Sequence, residues 1–277
     1  MRPVRYGISI PNFGDYADVR EVAALAARAE EAGFDGFFTW DHIHYTGWMP
    51  GGPPAPLPAS DPIVALTAIA LATERVRFGP MVMPLPRRRP WKVARETVTL
   101  DRVSNGRLVL GVGLGFPADE EYGRFGEPAS DHGRAELLDE GLEVLTRLWA
   151  GGPASFKGRH MQLDGAEMLP GPVQQPRIPI WCAGMWPGSA PFRRAAKWDG
   201  VFPISATGGL CTPNEVRAVR DLIAARRGTM DGYDVVAGAG VDALRGSRLE
   251  REYADAGATW LMYSPYGRAE LETLLAG

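Results

Sequence analysis

The 277-residue chain is short of the residues that most often announce a chemistry. Its two cysteines, Cys182 and Cys211, are too few for a disulfide framework or a four-thiolate zinc site. Its four histidines, His42, His44, His132 and His160, leave few candidates for acid–base work. No run of about 18 apolar residues occurs, so no membrane-spanning helix is expected. The opening Met1-Arg2-Pro3-Val4-Arg5-Tyr6 leads straight into a strand-like segment, and no signal peptide is expected. Lys and Arg number 30 against 33 Asp and Glu, a net charge of −3, so the chain lacks the basic field that holds nucleic acid or an anionic membrane. No Gly-x-Ser-x-Gly elbow and no Ser-His-Asp order is present. These absences point to a cytoplasmic protein with reduced thiols.

What is present is a regular alternation. Apolar strand-like segments fall at Arg5–Pro11, Phe34–Trp40, Arg75–Met83, Arg107–Gly113, Ile178–Ala183, Gly200–Ile204, Val235–Ala239 and Thr259–Tyr263. Between them lie helical patterns at Asp18–Ala32, from Asp61-Pro62, Pro90–Val103, Arg134–Ala150, Ser189–Lys197, Pro213–Arg227 and Arg245–Ala256, with a short helix after Gly267. Asp61 before Pro62 is an N-cap signal, and Ser104-Asn105-Gly106 a turn. Eight strands alternating with eight helices is the count of a (βα)8 TIM barrel in one domain, 1–277. Residues 155–175 form a loop or small hairpin excursion between strands four and five. A doubly wound open sheet of eight strands fits the same alternation.

In a barrel, function gathers where strands end. Those places are Asn12–Asp15, Asp41–Ser60, Met83–Arg89, Leu114–Pro128, Gly184–Gly188, Ser205–Thr212, Gly240–Asp242 and Ser264–Gly267. Asp41-His42-Ile43-His44 closes the second strand; a histidine beside a carboxylate there suits a ligand-facing proton relay. The His-x-His spacing also allows a metal, and a rim histidine satisfied by packing is the plain alternative. Gly111-Val112-Gly113-Leu114-Gly115 ends the fourth strand, where Phe116 breaks the dinucleotide fingerprint but the glycines admit a flat ring or serve a turn needing positive φ. Arg87-Arg88-Arg89 reads as a solvated run or, at a pocket rim, a partner for an anionic cofactor tail. The Gly184–Ser189 loop opening a helix is an anion site or a simple cap. Cys182 reads as packing, and Glu120-Glu121 and Asp139-Glu140 as solvated helix charges. The second loop's Tyr45, Trp48, Met49 and Pro50 suggest an apolar or planar substrate.

Taken in order, AEEAGFDGFFTWDH (29–42), DPIVALTAIALATERVRFGPMVMP (61–84), RRRPWKVARETVTLDRVSNGRLVLGVGLG (87–115), ELLDEGLEVLTRLWAG (136–151) and IPIWCAGMW…RRAAKWDGVFP (178–203) resemble the bacterial luciferase-like monooxygenase family. The resemblance implies a (βα)8 barrel that binds a flavin-type ring at the strand C-termini, often as a homodimer. It places His42 by the ring, with Asp41 beside it. Met81-Val82 matches the bulge, often a non-proline cis peptide, behind the ring. Gly113-Leu114-Gly115 matches the strand end lining the cofactor side chain, and Ala183-Gly184-Met185 the backbone along the ribityl–phosphate tail. Phe116 stands where deazaflavin-dependent sugar phosphate dehydrogenases carry a glutamate, and the chain is trimmed after the sixth strand.

The resemblance implies an oxidoreductase. The first expectation is a monooxygenase using oxygen and reduced FMN supplied by a flavin reductase, with His42 as the catalytic residue, acting on a small organic substrate. The alternative is hydride transfer with the deazaflavin coenzyme F420. A non-catalytic flavin-binding protein of the same fold, and an unrelated metal-dependent barrel hydrolase using His42 and His44, are the remaining readings.

Overall fold

The computed structural model describes residues 3–46 and 56–276, apart from the side chain of Val241. Trp48, Met49 and Pro50, singled out in the second loop, lie outside the described residues.

The chain alternates as its pattern predicts. The strand β1 (Arg5–Ile10) leads to α1 (Val19–Glu31), β2 (Gly36–Thr39) to α2 (Pro62–Ala72), and β3 (Arg77–Pro80) with β4 (Met83–Pro84) to α3 (Pro90–Val103). Next, β5 (Leu110–Gly113) is followed by the short α4 (Ala118–Glu121), α5 (Asp131–Trp149) and the hairpin β6 (Ala154–Lys157) and β7 (Gln162–Ala166). The remaining pairs are β8 (Ile180–Trp186) with α6 (Ala190–Ala195), β9 (Gly200–Ser205) with α7 (Pro213–Arg227), β10 (Asp234–Ala239) with α8 (Arg248–Ala256), and β11 (Trp260–Tyr263) with α9 (Arg268–Ala276). Local chemistry sets the helix starts. Asp61 accepts from the Ile63 and Val64 N–H groups at the head of α2, whose first turn carries Pro62. Thr212 and Glu215 form a reciprocal capping box at the head of α7, which ends on Gly228 at φ 76°.

The sheet is parallel, in the order β3-β2-β1-β11-β10-β9-β8-β5-β4. The single strand expected at Arg75–Met83 is two pieces, because the backbone departs from the ladder at Met81–Val82, whose peptide bond is cis. The first piece pairs with β2 and the second with β5. The ring then closes: Val109 N–H donates to the Phe78 carbonyl at 2.9 Å, and Phe78 bridges to Leu108 in parallel. An open sheet would leave two edges; this one is a closed barrel of eight strand positions, which sets aside the doubly wound alternative.

Closure depends on glycine. A Cβ on Gly79 would stand 1.8 Å from the Val109 carbonyl oxygen, and one on Gly111 would stand 2.3 Å from that of Pro80. Backbone approaches backbone there too closely for any side chain. The interior is filled by Phe38, Met81, Val109, Trp181, Val236, Trp260 and Met262, with half-buried Val82 and Phe202 resting on them. A larger apolar shell packs helices on strands, and Cys182 and Cys211 lie in it, free and buried. The excursion between strands four and five is the β6–β7 hairpin, antiparallel and laid along α5. Glu140 of α5 accepts from the N–H groups of Arg159, His160 and Met161. Among the described residues, no helix is long and apolar enough to cross a membrane.

Candidate active site

The loop after β2 is anchored first by backbone. Asn12, buried at the end of β1, accepts from the His42 N–H at 3.0 Å and donates to the His42 and Ser60 carbonyls at 2.9 and 2.7 Å. The His42 ring then lies edge-on to Phe13 and Tyr45, with Trp40 6.1 Å away and Tyr266 edge-on beyond Trp40.

A charged group fixes the ring from the other side. His42 Nδ1 is 2.9 Å from Glu121 Oε1, while Glu121 Oε2 accepts from the Ile43 N–H and from Arg87. Arg87 also donates to the Asp41 carbonyl and to Asp41 Oδ1, and Arg88 donates twice to Asp41 Oδ2. The side chains of Arg87, Asp41 and Glu121 are 3%, 0% and 1% exposed. Two arginines and two carboxylates balance, so the group is sustainable without water. Burial pushes the Glu121 carboxyl up, but the His42 hydrogen bond, the Arg87 charge and the Ile43 N–H outweigh it and hold the pKa below the usual carboxylate range. An ionised Glu121 only accepts, so Nδ1 of His42 carries a proton and Nε2 is an acceptor in the neutral ring. Among the described residues Nε2 has no hydrogen-bond partner.

The adjoining strand end is pinned by Tyr122 and Arg134. Tyr122 donates to the Leu114 carbonyl at 2.6 Å, and burial pushes its phenol up to about 12, which keeps it a donor. Arg134, almost wholly buried, donates to the carbonyls of Leu114 and Gly115. Gly115 has φ 84°, the left-handed conformation foreseen for a turn there. A Cβ on Gly113 would stand 2.9 Å from Val82 Cγ2 and 3.7 Å from Ala183 Cβ. The missing side chain lets three neighbouring strand ends pack closely, with Val82 filling the space a Cβ would take.

The expected site residues therefore fall into three groups. Val82, Gly113 and Ala183 pack together at the strand ends, with Leu114 and Gly115 following and exposed Met185 beside them on β8. Asp41 and His42 belong to the charged group. Met81 points down into the barrel interior, and Gly184 is buried against Pro191, where a Cβ would stand 2.3 Å from Pro191 Cβ. His44 turns to Glu120, 3.9 Å away, so the two loop histidines engage different carboxylates. Ser189 gives α6 no side-chain cap, and its hydroxyl accepts from Arg193.

Two expectations are corrected. Glu120-Glu121 is not a pair of solvated helix charges: α4 folds back so that Glu121 is buried on His42, and Glu120 accepts from Thr46. Arg87-Arg88-Arg89 is neither a solvated run nor open to an anionic tail at its first two members, because Asp41 and Glu121 occupy them. Glu121 is the residue that sequence reading missed, and its helical neighbours Asp119 and Glu120 disguise it. The reading of Cys182 as packing stands, with burial pushing its thiol strongly up.

The sequence profile of the luciferase-like monooxygenases matches residues 4–268. The chain belongs to that family. Within it, the F420-dependent glucose-6-phosphate dehydrogenase of Amycolatopsis mediterranei (strain U-32) is 31% identical over 242 residues, covering 84% of this chain and 67% of that protein. The enzyme of the same name from Nakamurella multipartita is 30% identical over 239 residues, 84% of this chain and 66% of its own length. The chain thus spans about two thirds of these curated relatives. Among solved structures, an F420-dependent secondary alcohol dehydrogenase in complex with an F420-acetone adduct superposes with a TM-score of 0.78 at 18% identity, over 99% of this chain and 97% of that one. Monooxygenase RslO1 from Streptomyces bottropensis superposes with a TM-score of 0.69 at 24% identity, over 99% and 79%. These likenesses confirm the luciferase-like barrel.

Proposed function

We propose that this chain is a deazaflavin-dependent oxidoreductase that moves a hydride between coenzyme F420 and a small organic substrate, with His42 managing the proton. The observation that carries the reading is the Glu121–His42 contact. It turns Nδ1 to the carboxylate and leaves Nε2 free at the C-terminal end of a barrel strand, among the aromatic rings of Phe13, Trp40 and Tyr45. The curated relatives, both named for F420, support the deazaflavin over the FMN expected first from sequence.

The chain's own residues fit a flat ring with a phosphate tail. Gly113 lets the Val82 side chain pack onto the end of β5, because a Cβ there would stand 2.9 Å from Val82 Cγ2, and so sets the surface that a ring would lie on. We propose that Val82, Gly113, Leu114, Gly115, Ala183 and Met185 hold the cofactor, that Met81 and Gly184 support them from below, and that Asp41 acts through Arg87. When bound, the deazaflavin supplies a carbon that gives or takes a hydride. His42 Nε2 accepts the hydroxyl proton of an alcohol in one direction and returns it to a carbonyl oxygen in the other. Glu121 offsets the imidazolium charge while the proton rests there, and the aromatic rings exclude water.

Reduced FMN with oxygen and a partner reductase is the second reading, favoured by the description of the family itself. The proposal extends to a homodimer, supported by Val64 and Leu71 of α2 and Trp91 and Val103 of α3, which lie exposed, and to the cytoplasm, where its two free thiols stay reduced. The test is a titration that follows tryptophan quenching with F420 and FMN, each oxidised and reduced, with oxygen uptake recorded. Tighter binding of F420 without oxygen uptake supports the deazaflavin. Preference for reduced FMN with oxygen uptake moves the reading to a monooxygenase, and saturable binding of neither removes both.

A further inference from the structure

The mouth of the barrel differs in charge from what a phosphorylated substrate requires. Around it, Ile43, Phe116, Leu210 and Tyr266, each from a different loop, and Met185 near the end of β8 are exposed large apolar side chains. Leu210 folds over the end of β10: a Cβ on Gly238 would stand 2.8 Å from Leu210 Cδ2 and 3.9 Å from the Phe202 ring. With Val82 and Phe202 on the interior cluster and Trp40 beside Tyr266, floor and wall are apolar too.

Cations are scarce at the same place. Only three lysines occur in the chain, Lys92, Lys157 and Lys197, in α3, in β6 and after α6. The arginines near the mouth are mostly engaged: Arg87 and Arg88 by Asp41 and Glu121, Arg134 by Asp131, Arg194 by Asp139 and Arg268 by Glu21. Arg89 lies toward the Trp91 ring. Residues 183–188, 205–212 and 264–267 hold no Asp, Glu, Lys, Arg or His. Exposed Arg124 is flanked in sequence by Glu120, Glu121 and Glu127, and Arg193 lies beside the β8 end, where the cofactor's own phosphate would draw on it. A phosphate removed from water needs charge-assisted donors, and Arg forks are their usual source.

We propose that the substrate is an uncharged, largely apolar alcohol or its ketone, seated on Leu210, Phe202 and Tyr266 with its oxygen at His42, and that sugar phosphates are rejected. This rests on the hydride-transfer reading above and narrows it to a substrate class. Atoms balance as stated there: the carbinol C–H leaves as hydride to F420, the O–H proton goes to His42, and a ketone remains.

The experiment has two arms on the full-length protein. In the first, cyclohexanone, acetophenone and glucose 6-phosphate are compared as ligands by saturation-transfer NMR, with and without F420. In the second, the matching alcohols and glucose 6-phosphate are compared as hydride donors to bound F420. The expected result is saturable binding and turnover of the uncharged pairs and none of the sugar phosphate. Leu210→Arg and Phe116→Arg, both on exposed loops, should raise KM for the uncharged alcohols about tenfold, the scale set by a lost apolar contact. Binding of the sugar phosphate, or of none of the three, overturns the proposal, and so does an unchanged KM in both variants. If F420 fails to bind, the oxidoreductase reading falls, while the cofactor-free ligand arm still decides between the two substrate classes.

Discussion

Replacing Glu121 by Gln removes one charge from a group that balances two arginines against two carboxylates. Gln still accepts from His42 Nδ1, so the ring keeps a partner, but Arg87 loses one of its two carboxylates in a place where its side chain is 3% exposed. Breaking a buried ion pair costs about 3–5 kcal/mol when the other charge is left alone. Arg87 keeps Asp41 at 2.7 Å, so a figure at or just below the foot of that range, about 2–3 kcal/mol, is the fitting one. For a chain of this size each kcal/mol moves Tm by about 2–4 °C, and the variant should melt about 4–12 °C below wild type at pH 7. The pH dependence carries a sign. Folding depresses the Glu121 pKa, so its stabilisation is present above the unfolded value of about 4.3 and is lost as pH falls through the folded value. The gap between the two proteins should therefore narrow in acid. Thermal melts by circular dichroism from pH 7 down to about pH 3 measure it. Equal Tm at pH 7, or a gap that stays constant into acid, would refute an ionised, ion-paired Glu121.

His42→Asn should preserve the fold and lower kcat by about 10²–10⁴, the usual worth of a positioned acid–base group; a steady-state rate equal to wild type rejects the role. Gly113→Val sets a Cβ 2.9 Å from Val82 Cγ2, so it should displace Val82 and weaken F420 or FMN binding at least tenfold, and a tryptophan-quenching titration that shows unchanged affinity places the ring elsewhere. Gly79→Ala sets a Cβ 1.8 Å from a backbone oxygen at the closing seam, so it should cost about 3 kcal/mol or more in urea unfolding, and a shift under 1 kcal/mol would show that the seam yields.

The barrel was legible because its signals are local. Pro90–Val103 and Pro213–Arg227 match the observed helices end to end, since a proline opens the first turn of each and a turn or cap in adjacent residues, Ser104-Asn105-Gly106 for one and Thr212, Glu215 and Gly228 for the other, marks the rest. His42 was legible from its place after an apolar strand. The partner that defines its chemistry was not, because Glu121 lies 79 positions away and reaches the ring only through a four-residue helix with no apolar period to betray its buried face. The same holds for Arg87 and Glu121, 34 positions apart. The break of the third strand at Met81–Val82 was legible only through the family resemblance, which implied a bulge with a non-proline cis peptide there; the apolar run by itself reads the same whether its ladder is continuous or interrupted.

The balanced group of Asp41, Arg87, Arg88 and Glu121 also decides how the protein should tolerate brine. Dissolved ions screen charges that water can reach, such as Arg28 with Glu272 on the outer helices or Arg248 with Glu252 on α8. They reach the buried carboxylates of Asp41 and Glu121 hardly at all. The surface can be stripped of its pairings by molar salt while the geometry around His42 endures, so loss of overall stability and loss of turnover should part company as ionic strength rises.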